Sequence, residues 1–167
     1  MAKLKVLILC TGNTCRSPMA AALLEQALAR ELGPRAGEVE VASAGLAAIP
    51  GTLATPQATA VLREEGLDLS GHRAQQVTKE MLKQADLVLT MTRAQKEHLV
   101  AWLPALGGKT FALTEMAALV GEDPARIGDI EDPFGRPKEA YRRVRDQLKA
   151  ALAPVVSRIK KMLAGRV

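Results

Sequence analysis

Aromatic side chains are almost missing: the 167 residues hold two Phe, one Trp and one Tyr. The core must therefore be built from Ala, Leu, Val, Ile and Met. A surface this poor in rings offers no platform for stacking bases, so no nucleic acid partner is expected. Cysteine is scarce too. Cys10 and Cys15 are too few for a disulfide framework. They also lack the C-x2-C spacing and neighbouring ligands of a metal site, so neither a metal nor another cofactor is expected. No apolar run approaches the ~20 residues of a membrane span. The run in "MAKLKVLILC" is too short for a secretory leader. The expectation is a cytoplasmic protein with no membrane partner. In a reducing compartment a reactive thiol is favoured over a structural disulfide. The nucleotide-binding strings G-x4-G-K-[ST] and G-x-G-x-x-G are absent as well.

Hydrophobic residues make up 48% and charged residues 25%, the balance of an ordinary globular domain, read here as one domain over residues 1–167. Net charge is +5. A solvated surface accounts for it, because acids and bases interleave in the first half of the basic C-terminal segment; attraction to an anionic ligand is the functional alternative.

Apolar runs and capped helical patterns alternate along the chain. Strands are expected at Leu4–Leu9, Glu38–Gly45, Asp86–Met91 and Lys109–Leu113. Helices are expected at Ser17–Gly33 with Ser17 as cap, at Thr55–Gly66, Thr78–Ala85 and Thr92–Pro104, and from about Pro137 with a kink or an interruption at Pro154. This order predicts an α/β three-layer sandwich, a central four-stranded parallel sheet flanked by helices. In such sheets ligands bind at the carboxyl ends of strands.

One such end reads "CTGNTCR", Cys10 to Arg16. Five residues between a strand and a helix can curl so that Thr11, Gly12, Asn13, Thr14 and Cys15 turn their N–H groups inward, forming a nest. The following helix adds N–H groups and the positive end of its dipole. Arg16 adds a planar fork suited to bidentate phosphate binding. The result is a cup for a tetrahedral oxyanion with Cys10 at its base. The same positive field favours an anionic sulfur, the form that attacks, and Ser17 is placed to donate to it. A plain core cysteine, a Cys10/Cys15 metal pair and a non-catalytic phosphate-binding module are the competing readings.

"CTGNTCRSPMA" closely resembles the active-site loop of low-molecular-weight protein tyrosine phosphatases. The resemblance continues, in family order, through "SAG" (Ser43–Gly45), "SGHRAQQVT" (Ser70–Thr78), "ADLVLTMT" (Ala85–Thr92) and "DIEDPFG" (Asp129–Gly135). It implies that Cys10 attacks phosphorus and becomes a phosphocysteine, that Arg16 binds the phosphoryl oxygens, and that the loop residues with Ser17 and Phe134 contact substrate. Asp132, before Pro133, matches the family's proton donor. Asp123-Pro124 lacks the following aromatic and reads as a turn. Asn13, Ser17, Ser43 and His72 match a network that supports the loop, and Asn13, the only asparagine, tolerates a left-handed backbone. His98 is expected at the surface. Cys15 is implied as a redox partner of Cys10, through a reversible disulfide.

Two positions bear on substrate. Thr14 stands where tyrosine-specific relatives usually carry a bulkier aliphatic residue, and "DPFG" replaces their paired tyrosines. Bacterial protein-arginine phosphatases are similar to this sequence at Thr14. The resemblance thus implies a hydrolase of phosphorylated proteins or peptides acting on phosphoarginine, with phosphotyrosine as the alternative. Arsenate reductase is a remote alternative, since two cysteines cannot form an internal relay of three thiols.

Overall fold

The first apolar run forms β1, Leu4–Cys10, in the structure, a computed structural model that describes residues 2–119, 121 and 128–166. Strand side chains alternate between faces. Leu4, Val6, Ile8 and Cys10 enter one apolar layer, and Leu7 and Leu9 enter the other. Helices cover both faces, so the run is apolar instead of alternating with polar residues.

β1 pairs in parallel with β2 (Val39–Gly45) on one side and β3 (Leu87–Thr90) on the other, and β3 pairs with β4 (Thr110–Ala112). The strand order is β2-β1-β3-β4. Helices α1 (Arg16–Leu32), α2 (Pro56–Arg63), α5 (Leu113–Leu119) and α6 (Lys138–Ala164) fill the first layer; α3 (Lys79–Gln84) and α4 (Arg93–Trp102) fill the second. The three-layer sandwich with a four-stranded parallel sheet is as the sequence predicts. After β1 the chain crosses to one face, and after β3 to the other. A crevice therefore opens between the carboxyl ends of these two strands, where such folds bind ligands.

Three helices start at the expected threonines. Thr55, Thr78 and Thr92 accept from the backbone of Ala58, Met81 and Gln95 at 3.2, 3.1 and 3.1 Å. Ser17 does not act as a cap. α1 begins at Arg16 after Cys15, with no side-chain cap and no acid in its first turn. Its free N–H groups and dipole end stay open to an anion, and the Ser17 hydroxyl turns inward instead. Nor does Pro154 break the last helix, which runs unbroken for 27 residues. An interior proline costs about 3 kcal/mol. Leu148, Leu152, Val155, Ile159 and Leu163 all stay buried along that face, and each contributes about 1.5–3 kcal/mol, so packing outweighs the break. Helix α5 and two 3-10 turns, at 33–38 and 104–108, went unread. Leu113, expected to end β4, begins α5. Asp123-Pro124 lies outside the described residues.

Candidate active site

The loop after β1 curls at Asn13, whose φ of +57° is the only positive value outside glycine among the described residues. Asn13 is fully buried and tied at every polar atom. Its N–H donates to Cys10 Sγ at 3.2 Å, and its Nδ2 donates to Ser17 Oγ at 2.8 Å and to Ser43 Oγ at 3.0 Å. Its Oδ1 accepts from the Gln75 N–H at 3.0 Å, and its carbonyl lies 2.7 Å from His72 Nε2. A carbonyl only accepts, so that ring nitrogen carries the proton. Ser17 Oγ is in turn 2.9 Å from Cys10 Sγ. The structure thus brings Asn13, Ser17, Ser43 and His72 into one buried network behind the sulfur. Gln75 belongs to it as well. It was missed because an exposed glutamine in a polar stretch carries no local signal.

The end of β2 runs against the loop. Leu46 and Ala47 donate to the carbonyls of Cys10 and Thr11, each at 2.9 Å. A Cβ on Gly45 would stand 2.7 Å from the Thr11 carbonyl oxygen and 2.8 Å from Ala48 Cβ. Only glycine permits this approach.

A cavity of about 200 Å³ opens over Cys10. Loop residues 10–12 and 14–16 form its floor, and Asp132 and Phe134 form a wall. Asn13 and Ser17, expected among the substrate contacts, lie behind the floor and do not line it. Arg16 is 5% exposed. Its Nη1 donates to the Ile130 carbonyl at 3.0 Å, and its Nη2 stands 3.6 Å from the Asp132 carboxylate. Asp132 is half exposed and accepts from the Phe134 N–H at 3.1 Å, while Pro133 beside it is buried. Phe134 projects outward as a free aromatic edge.

Cys15 is as buried as Cys10. Its Sγ lies 3.4 Å from Tyr141 Oη and 3.7 Å from both Thr55 Oγ1 and Thr14 Oγ1. Burial, followed by the contact with Cys15, pushes the Tyr141 phenol up to about 12, so it stays protonated as a donor. Thr55 and Tyr141 could not be read from sequence, because Tyr141 is 126 positions from Cys15. His98 is exposed on α4. A roomier groove of about 310 Å³ between α1 and α6 holds no cysteine, and its Ser157 hydroxyl is turned to the Ala153 carbonyl at 3.4 Å. Its charged rim is paired within the chain, Lys149 with Glu65 and Lys160 with Glu31.

A thiol hydrogen-bonded to the Asn13 N–H and the Ser17 hydroxyl, with a buried guanidinium and a carboxylate across the opening, can transfer a phosphoryl group through sulfur. Residues 5–164 match the family described as low molecular weight phosphotyrosine protein phosphatase. The chain is similar to a protein-arginine-phosphatase of Geobacillus stearothermophilus, 43% identical over 89% of this chain and 90% of the relative. It is similar to the probable low molecular weight protein-tyrosine-phosphatase EpsP of Ralstonia nicotianae, 37% identical over 93% and 95%. Among solved structures it resembles the YwlE arginine phosphatase from Geobacillus stearothermophilus. That match has a TM-score of 0.81 and 40% identity over 98% of this chain and 97% of that one.

Proposed function

Because the chain belongs to the low molecular weight phosphotyrosine protein phosphatase family, and so is a protein phosphatase, we propose that it hydrolyses phosphoarginine in proteins through a phosphocysteine at Cys10. The observation that carries this reading is the pair of hydrogen bonds at Cys10 Sγ, with the Asn13 N–H and the Ser17 hydroxyl, under a cavity faced by Arg16 and Asp132. The sulfur attacks phosphorus in line, and a P–S bond forms as the bond to the leaving nitrogen or oxygen breaks. The loop N–H groups and the Arg16 fork hold the three phosphoryl oxygens. Asp132 gives its proton to the leaving group. It then takes one from the water that splits the phosphocysteine, which releases inorganic phosphate and returns the Cys10 anion.

Phosphoarginine is favoured over phosphotyrosine by Thr14 and Phe134. Thr14 sets a small polar group in the floor where a bulky aliphatic side chain would crowd a guanidinium. Phe134, followed by Gly135, leaves one aromatic wall and not two, and Asp132 is an acid able to pair with the guanidinium. Similarity to a protein-arginine-phosphatase over most of the chain supports the same choice. Residues 1–167 act as one domain on phosphorylated proteins or peptides, without a cofactor. Its workplace is the cytoplasm, because Cys10 must remain a thiol and thiols stay reduced there.

The deciding measurement is kcat/KM on matched phosphoarginine and phosphotyrosine peptides. Wild type is expected to prefer phosphoarginine by about tenfold or more, and Thr14→Ile to lose most of that preference. A wild-type preference for phosphotyrosine that Thr14→Ile leaves unchanged would return the enzyme to the tyrosine-specific branch.

Cys15 shares the curled loop with Cys10, and a reversible disulfide between them would shield the nucleophile from further oxidation. Peptide mapping after mild peroxide is expected to find the Cys10–Cys15 link. Sulfinic Cys10 with Cys15 still a free thiol would rule it out.

A further inference from the structure

The segment that carries Asp132 is fastened to the rest of the molecule three residues earlier. Asp129 Oδ1 accepts from the N–H of Arg93, the first residue of α4, at 3.1 Å, and its carbonyl accepts from Gln147 Nε2 on α6 at 3.0 Å. The next residue, Ile130, is fully buried and donates its N–H to the Met91 carbonyl at the end of β3, at 2.9 Å. Its own carbonyl receives Arg16 Nη1. Asp132 then emerges, half exposed, 3.6 Å from the other end of the same guanidinium.

The same first turn of α4 also holds the phosphate loop. Gln95 Oε1 accepts from the N–H groups of Met91 and Thr92 at 2.9 and 3.2 Å. This fixes which end of the amide faces the loop, and Gln95 Nε2 donates to Thr11 Oγ1 at 3.2 Å. One turn of helix thus meets the floor of the cavity through Gln95 and the acid-bearing wall through Asp129. Asp129 suits the task, since a carboxylate is favoured at a helix N-terminus by the dipole and by the free N–H groups there.

We propose that Asp129 is a positioning residue for Asp132: by holding the 129–132 segment to the N-terminus of α4, it sets the distance between the proton donor and the leaving group over Cys10. It touches no reacting atom. Its effect appears only in reactions whose leaving group must be protonated. The inference rests on the assignment of Asp132 as proton donor, and the test separates the two.

The test is kcat/KM of the full chain on two aryl phosphates, phenyl phosphate, whose leaving group needs a proton, and 2,4-dinitrophenyl phosphate, whose leaving group does not. Asp129→Ala is expected to lower the first about tenfold and the second by no more than about twofold. Asp129→Asn keeps an oxygen that can accept from Arg93, and it is expected to recover phenyl phosphate to within about threefold of wild type. Asp132→Asn serves as the control and is expected to show the same selectivity more strongly. Equal losses on both substrates, no loss on either, or an Asn variant no better than Ala would overturn the role of Asp129 while leaving that of Asp132 standing. If Asp132→Asn itself shows no leaving-group selectivity, the proton-donor assignment falls, and the positioning role falls with it.

Discussion

Cys10→Ser is expected to lower kcat/KM by about 10^4-fold or more while leaving phosphate binding within about threefold of wild type. Both halves of the expectation come from the surroundings of the sulfur. Its neighbours are the Asn13 N–H, which donates to it at 3.2 Å, and the Ser17 hydroxyl at 2.9 Å. A serine hydroxyl in the same place is a far weaker nucleophile than sulfur. His72 is not placed to take the serine proton, since its Nε2 donates to the Asn13 carbonyl at 2.7 Å. The cup proposed for the oxyanion, backbone N–H groups of the loop and Arg16, is left intact. Turnover on a phosphopeptide together with calorimetric titration of inorganic phosphate checks both. Retention of more than about 1% of wild-type turnover would mean that another group attacks phosphorus.

Arg16→Lys keeps the positive charge and removes the fork, and it is expected to cost about 10²- to 10³-fold in kcat/KM. The guanidinium in the structure uses its two ends differently. Nη1 holds the Ile130 carbonyl at 3.0 Å, and Nη2 faces Asp132 at 3.6 Å. A single ammonium cannot hold the acid segment and grip two phosphoryl oxygens together. The Arg16 side chain itself is shut off from water, at 5% exposed, so hydrogen bonds lost at its buried end are not replaced by solvent. The comparison is steady-state kinetics on one phosphopeptide for wild type, Arg16→Lys and Arg16→Ala. A loss below about fivefold in the lysine variant would show that charge alone holds the phosphoryl group, and the bidentate reading would be wrong.

The loop from Cys10 to Arg16 was legible because all its parts are local: an apolar strand end, small residues able to curl, and a helix start within seven positions. The support network was legible in Asn13, Ser17, Ser43 and His72 only through resemblance to a family, and Gln75 escaped even that. Asp132 is a similar case. The aromatic after Pro133 sets it apart from Asp123-Pro124 only in the light of the family pattern; what makes Asp132 distinctive in space is Arg16, whose guanidinium also holds a carbonyl 114 positions along the chain.

The sequence by itself determined the order of the strands and of the helices other than α5, the parallel sheet that this order requires, and the strand–loop–helix arrangement around Cys10, because periodicity, capping and loop composition act over a few residues. Only the tertiary structure decided that α6 runs through Pro154, that Tyr141 and Thr55 enclose the Cys15 sulfur, that Gly45 is the one residue type that fits against the loop, and that Asp129 and Gln95 meet at the start of α4. Each of those outcomes depends on which layers pack together and on parallel strands aligning their carboxyl ends, and such contacts join residues that have no relation along the chain.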